Sequence, residues 1–536
     1  MQNNFSSLDW FILIAYFIGT MLIGLYFYRR TRTTESFTAA DRSVPGWALG
    51  LSILATYLSS ISFLALPGKA FATNWNPFVF SLSLPITTWI AVKFFMPYYR
   101  RSGEVSAYSN LEHRFGQWAR VYTSIFFLLT QLARIGAVTY LMALPMNILF
   151  GWDIRLVIII TSISVIFYSF VGGILAVIWT DAFQAIVLIA GALACAAIVM
   201  FGTTGGPVEM FRIAGENNKF SLGSFGGSLT ESTFWVVLIY GIVMNLQNFG
   251  IDQNFVQRYI VAKSDKEAKK SVWLGGLLYV PVSLLFFFIG TGLYTYYHTH
   301  PQELLAAKTT IAAQTLATQG VSKDATDYQQ MLDETKQKLS DKDIGDKVFP
   351  YFIGAKLPVG FRGLLIAAIF AAAMSTTASC LNASSTLLFT DFYKRYFRKN
   401  ATEKESMMFL YSSTIIWGLI GTGVALLLIH VTSALDAWWT LSGIFGGGML
   451  GLFLLGIVCK RANNPAAIAS VILGILVICI LSLFPRQTGN LHSFLIPVFG
   501  TAAILFAGII LSSFVKRTNS FIKKGHYEEC SITKTS

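Results

Sequence analysis

The chain has 536 residues, 54% of them hydrophobic and 12% charged, with a formal net charge of +13. A water-soluble domain cannot cover so much apolar surface, so the composition predicts an all-α, polytopic membrane protein. The positive charge predicts no nucleic-acid partner, because its lysines and arginines gather in alternate loops.

Thirteen apolar runs are long enough to cross a bilayer as helices. They start near Trp10, Trp47, Trp75, Val121, Ile154, Ala182, Phe234, Val272, Phe361, Met407, Ala437, Pro465 and Leu491. None shows the alternation of an outer-membrane strand. Basic residues mark every second loop: Arg29, Arg30, Arg32 and Arg42; Arg100, Arg101, Arg114 and Arg120; Arg258, Lys263, Lys266, Lys269 and Lys270. The series continues with Lys394, Arg395, Arg398, Lys399 and Lys404, then Lys460 and Arg461, then Lys516, Arg517, Lys523 and Lys524. Short loops of the other parity hold few, such as Lys69, Arg155 and Arg486. The positive-inside rule then puts the N-terminus outside and the C-terminus in the cytoplasm. A bacterial inner membrane is the expected location. The first span has no basic leader and too long an apolar stretch for a signal peptide, so it is expected to be retained. Cys195, Cys380, Cys459 and Cys479 fall in spans and Cys530 in the cytoplasmic tail, which predicts no disulfide.

The second span reads LSILATYLSSISF over 51–63, with five hydroxyl side chains between 56 and 62. A broken helix uses such groups to satisfy freed backbone, and its carbonyls can hold a cation. The alternative is back-bonding of Ser and Thr to an intact helix. In the fourth span, Arg134 lies about 14 residues past the cytoplasmic loop, roughly 21 Å deep. An arginine there costs about 2.5–3.5 kcal/mol on insertion scales. It stays charged, and its planar fork suits a carboxylate. A buried protein acid could supply that carboxylate, but few lie inside the membrane, Asp181 near a cytoplasmic end and Asp252 at the inner end of its span, so an external anion is favoured.

Asp181 opens the sixth span after GGILAVIWT. It reads as a dipole-favoured acid at a helix start or as a cation ligand. The seventh span ends in an amide run with Asn245, Gln247 and Asn248, which is interhelical glue or polar-ligand contact. The hydrophilic insertion 298–358 lies outside, with a helical pattern over 327–339, and reads as a cap or decoration rather than a substrate element. In the ninth span, Ala372, Ser375, Thr376 and Ser379 share one helix face, either as a small-residue packing stripe or as a face toward an ion or substrate. No G-x-x-x-x-G-K-[ST] nucleotide motor and no H-E-x-x-H occurs, and no acid/base set converges, so neither an ATP-driven pump nor an enzyme is indicated.

The motifs GGILAVIWTDAFQ, DQNFVQRYIVAKS and AAAMSTTASCLNASSTLLFTDFY resemble the sodium:solute symporter family, in order along nearly the whole chain. The resemblance implies a leucine-transporter-type five-plus-five inverted repeat and alternating access driven by sodium. It divides the chain into an N-terminal helix and loop (1–46), a first repeat (47–203), a second repeat with the insertion (204–460), two C-terminal helices (461–514) and a cytoplasmic tail (515–536).

It also implies a main sodium site. The backbone carbonyls of Ala55, Leu58 and Ala372 and the hydroxyls of Ser375 and Thr376 would form it. A second sodium, carried by some members, would use Asp181, Ser375 and Ser379; this chain has Ala378 where a further serine stands in them. Sugar-transporting members place an acid and a lysine where this chain has Ser81 and Tyr279. Bacterial sialic acid transporters of the family match better. By that resemblance Arg134 would take the substrate carboxylate, and Ser59, Ser62 and Asn245 its polar groups. Tyr57 and Ser81 stand where those transporters carry threonine and glutamine. The expected function is sodium-coupled import of sialic acid (N-acetylneuraminate) or a related carboxylated sugar, by a protein functional as a monomer. The alternative is a same-fold symporter for a neutral sugar, an amino acid or a monocarboxylate.

Overall fold

Long apolar runs become helices here because a helix satisfies every backbone N–H and C=O within the segment, as a lipid environment demands. The computed structural model describes residues 5–28, 33–322, 327–431, 434–484 and 490–514. Arg29, Arg30, Arg32, Arg486 and the tail with Lys516, Arg517, Lys523, Lys524 and Cys530 lie outside these residues.

Eleven described helices are long and apolar enough to cross a membrane, from Ser7–Phe27 to Leu495–Phe514. The second of the thirteen predicted places is filled by a bent pair, Gly46–Tyr57 and Ile61–Ala72, which meet at 61°. The fifth is filled by the shorter apolar helix Ile154–Phe167. Gly173 separates it from the sixth, Gly173–Gly202, by a kink at φ 56°. A side chain there would be strained, and its Cβ would lie 2.9 Å from the Phe37 backbone. No strand forms among the described residues.

The seventh span, Phe234–Ile251, also breaks. Asp252 is extended, with φ −72° and ψ 126°, and caps the following helix Gln253–Ile260 by accepting a bond from the Asn254 amide at 2.8 Å. In the division implied by the family resemblance, the second and seventh spans would open the two five-helix sets, so corresponding members would carry the breaks.

The ninth span, Phe361–Phe397, is buried continuously from Leu365 to Leu387 and packs on the first, fourth, sixth and tenth spans. Its alanines and serines allow that close approach. Large apolar side chains point outward instead on the peripheral helices, among them Leu22, Ile160, Ile163 and Phe167. A belt of that kind suits lipid contact.

The insertion folds as Pro301–Thr318, Tyr328–Lys338 and Asp341–Lys356. The middle helix matches the pattern read over 327–339. The last packs on Leu66–Ala72, and the Phe349 ring stacks on Phe63 at 5.8 Å. The insertion is therefore anchored on the second half of the broken second span. Its last helix starts at a capping box, where the Ser340 hydroxyl and amide donate to Asp343 and hold its carboxyl below the usual carboxylate range.

Candidate cation and substrate site

The break in the second span begins at Leu58, whose dihedrals are extended (φ −78°, ψ 119°). A wider π turn, Ile61–Ala65, follows it. The hydroxyl stripe of the ninth span faces this break. Thr376 Oγ1 donates to the Leu58 carbonyl at 3.2 Å, and Thr56 Oγ1 lies 3.3 Å from Ser379 Oγ. Ala55 sits in the last turn before the break and Ala372 one turn ahead of Ser375 and Thr376, all of them buried. The five residues matched to a main sodium site thus come from two elements in direct contact. Their donors are neutral oxygens, a set that suits a monovalent cation that must also leave. The stripe is more than small-residue packing, since its hydroxyls engage the broken backbone.

Ser375 Oγ donates to Asp181 Oδ1 at 2.6 Å, which leaves the serine lone pairs free. Asp181 Oδ2 accepts from Ser52 Oγ at 2.6 Å and from Arg258 Nη2 at 2.8 Å. The same guanidinium reaches Ser379 Oγ at 2.7 Å. Asp181 and Ser379 are therefore brought together, with the Arg258 guanidinium bonded to both. The loop-charge reading of Arg258 is corrected here. It is buried, because Gln253–Ile260 folds back into the bundle and Asp181 compensates its charge. Arg120 is likewise buried rather than a loop charge, paired with Asp391 at 2.5 Å.

A cavity beside the break is lined by Tyr57, Ser59, Ser62, Ser81, Arg134 and Tyr279, with Asn248, Trp438, Trp439 and Ser442 completing the wall. Its volume is about 70 Å³. Arg134 is buried, and its Nη2 donates to the Thr56 carbonyl at 2.5 Å. Its guanidinium lies 5.8 Å from the Trp438 ring centre. Among the described residues it forms no salt bridge; the buried ion pairs are Arg258 with Asp181 and Arg120 with Asp391. The cationic fork therefore faces a cavity with no protein carboxylate on it.

Ser81 shares a hydrogen bond with Ser283 at 2.8 Å, and the Tyr57 and Tyr279 rings meet edge to face at 4.3 Å. Asn245 stands one layer behind this wall. Its amide donates to Ser83 Oγ at 2.8 Å and to the Phe80 carbonyl at 3.2 Å, and its oxygen accepts from the Tyr57 hydroxyl. Asn248, three residues on in the same amide run, reaches the cavity instead. The Trp438–Trp439 pair was not singled out from sequence; two adjacent tryptophans near the start of an apolar span were the available signal.

The chain matches the model of the sodium:solute symporter family over residues 37–323 and 328–474. It is 32% identical to the sodium/sialic acid symporter NanT of Aliivibrio fischeri, over 99% of this chain and 97% of that protein. It is also 32% identical to the sodium/sialic acid symporter SiaT of Proteus mirabilis, covering 95% of each. Mouse sodium-coupled monocarboxylate transporter 2 is 28% identical, over 88% of this chain and 72% of that one. Among solved structures, a substrate-bound, outward-open sodium-coupled sialic acid symporter superposes with a TM-score of 0.82 at 30% identity, covering 95% of this chain and 98% of that one. Mhp1, a nucleobase-cation-symport-1 family transporter, shares the fold with a TM-score of 0.52 at 15% identity, over 90% and 95% of the two chains. With its broken second and seventh spans, its hydroxyl-lined ninth span and these matches, the chain is a multi-pass membrane protein that belongs to the sodium:solute symporter family.

Proposed function

We propose that this protein is a sodium-coupled symporter that imports sialic acid or a related carboxylated sugar by alternating access. The observation that carries the substrate class is Arg134, a buried guanidinium on a cavity wall that, among the described residues, holds no carboxylate; the buried Asp252 carboxylate acts on Arg134 only from beyond ion-pair distance. Burying an unpaired arginine is costly, and a substrate carboxylate would repay it with a bidentate, charge-assisted contact. Ser59, Ser62 and Ser81 would offer hydroxyls to the sugar, Tyr57 and Tyr279 ring surface, and Asn245 would hold Tyr57 in place. The names of the two bacterial relatives support the same substrate. A same-fold monocarboxylate symporter is the second reading. The mouse relative favours it, and Arg134 would serve that carboxylate equally.

Coupling follows from shared backbone. Sodium held by Ala55, Leu58, Ala372, Ser375 and Thr376 would tie the break to the ninth span. That same break supplies the Thr56 carbonyl to Arg134 and the Ser59–Ser62 wall to the cavity. Ordering it for one ligand lowers the cost of ordering it for the other, an effect of typically 1–3 kcal/mol in coupled sites. The test is uptake of labelled N-acetylneuraminate into proteoliposomes. An inward sodium gradient should drive accumulation, and a potassium gradient should not. Equal uptake in both would remove the sodium coupling.

The proposed orientation has the N-terminus outside, the insertion outside and the C-terminus in the cytoplasm, in a bacterial inner membrane, with a monomer as the working unit. In a background without native cysteines, an impermeant maleimide should label Gly320→Cys in right-side-out vesicles and Lys460→Cys only in inside-out ones. The reverse pattern would invert the topology.

A further inference from the structure

Asp181 and Arg258 form a closed, fully buried cluster beside the main sodium site, and every side-chain polar atom of the pair has a hydrogen-bond partner. Asp181 Oδ1 takes the Ser375 hydroxyl, and Oδ2 takes Ser52 Oγ and Arg258 Nη2. Arg258 Nε donates to Ser52 Oγ at 2.8 Å, Nη1 to the Asn254 carbonyl at 2.6 Å, and Nη2 to Ser379 Oγ at 2.7 Å. Arg258 and Asp181 are 1% and 0% exposed as side chains, so water screens neither charge. The carboxylate carries one negative charge and the guanidinium neutralises it. A sodium ion added here would sit against a fixed cation a few ångströms away, with no spare carboxylate and with Ala378 offering no hydroxyl. The donor set therefore does not fit a second sodium.

We infer that Arg258 is a built-in cation in the place a second co-transported sodium would take, so that the chain moves one sodium with each anionic substrate. Asp181 then acts as a positioning residue for the main site. By accepting the hydrogen bond of the Ser375 hydroxyl it leaves the serine lone pairs free for a cation, one residue from Thr376, which reaches the Leu58 carbonyl. One positive and one negative charge per cycle make transport electroneutral. The inference rests on the sodium-symport reading but not on the identity of the sugar.

The experiment counts ²²Na⁺ bound to purified protein in detergent, without substrate. One sodium per chain is expected for the wild type. Ala378→Ser, which restores a hydroxyl without disturbing the ion pair, should also bind one. The double variant Asp181→Asn with Arg258→Gln removes both charges and leaves none buried alone, while the amide oxygen can still accept from Ser375; it should still bind one, at lower affinity. Two sodium ions in the wild type, or two in Ala378→Ser, would overturn the inference, and a fall from two to one in the double variant would assign Asp181 as a ligand. No bound sodium at all would instead sink the sodium-symport reading. Once a substrate is transported, a substrate-induced current at zero membrane potential would equally exclude the one-to-one ratio for a monoanion.

Discussion

The Thr376 hydroxyl and the Leu58 carbonyl lie 3.2 Å apart, close enough to share a proton or, with the proton turned away, a small cation. Removing that hydroxyl takes one oxygen from the proposed sodium shell while leaving the buried helix otherwise unchanged. Thr376→Ala should weaken apparent sodium affinity about tenfold, ~1.4 kcal/mol, with Thr376→Ser close to wild type. The sodium dependence of initial uptake reads this, and an unchanged Thr376→Ala would remove Thr376 from the shell. The stripe was legible in sequence because Ala372, Ser375, Thr376 and Ser379 obey helical spacing and hydroxyls at that depth need a partner. Arg258 was not legible. It sits where the positive-inside rule expects a loop cation, and its acid partner Asp181 is far away in sequence. Asn245 and Asn248 could not be told apart either, since the seventh helix buries most of its amide run and no periodicity marks the cavity side.

At the scale of elements, the second span is held between the ninth, which meets its break, and the eighth, which runs along both of its halves. The eighth span, Asp265–Thr299, touches the second half of that span through Gly290, where a Cβ would lie 2.1 Å from the Pro67 carbonyl oxygen. Backbone cannot swing aside as a side chain can, so the helices must part. Gly290→Ala should cost about 1–3 kcal/mol and lower both thermal stability in detergent and sodium-driven uptake. Gly423→Ala, with no atom within 4 Å of its Cβ, should leave both near wild type. Equal behaviour of the two variants would show that the close approach is unimportant. The hydroxyl run over 56–62 announced this broken element, because an intact helix has no need of it. The burial of Asp341–Lys356 against its second half was not announced. Such packing depends on where an insertion folds back, and local periodicity does not encode that.

For the whole molecule, one feature of the fold bears on transport. The cavity of about 70 Å³ is walled by Arg134, Trp438 and Trp439 among others, and movement of that wall would govern entry and release of a sugar acid. Motion of the two broken spans against the fourth and ninth would widen it, and the proposed sodium site lies at that same seam. Alternating access and ion coupling would then share one hinge. Architecture at this scale was the most legible part. Thirteen apolar runs set the helix count, and the motif order set the repeat, whereas the bend angle and cavity walls depend on packing between distant segments.

The most direct measurement is sodium-driven uptake of labelled N-acetylneuraminate into proteoliposomes, with wild type beside Arg134→Ala. The account predicts accumulation by the wild type and a loss of at least a hundredfold in the variant, ~2.7 kcal/mol, with ²²Na⁺ binding retained. Uptake by Arg134→Ala at the wild-type rate would contradict the carboxylate role. Failure of the wild type to take up the sugar acid while still binding sodium would contradict the substrate assignment.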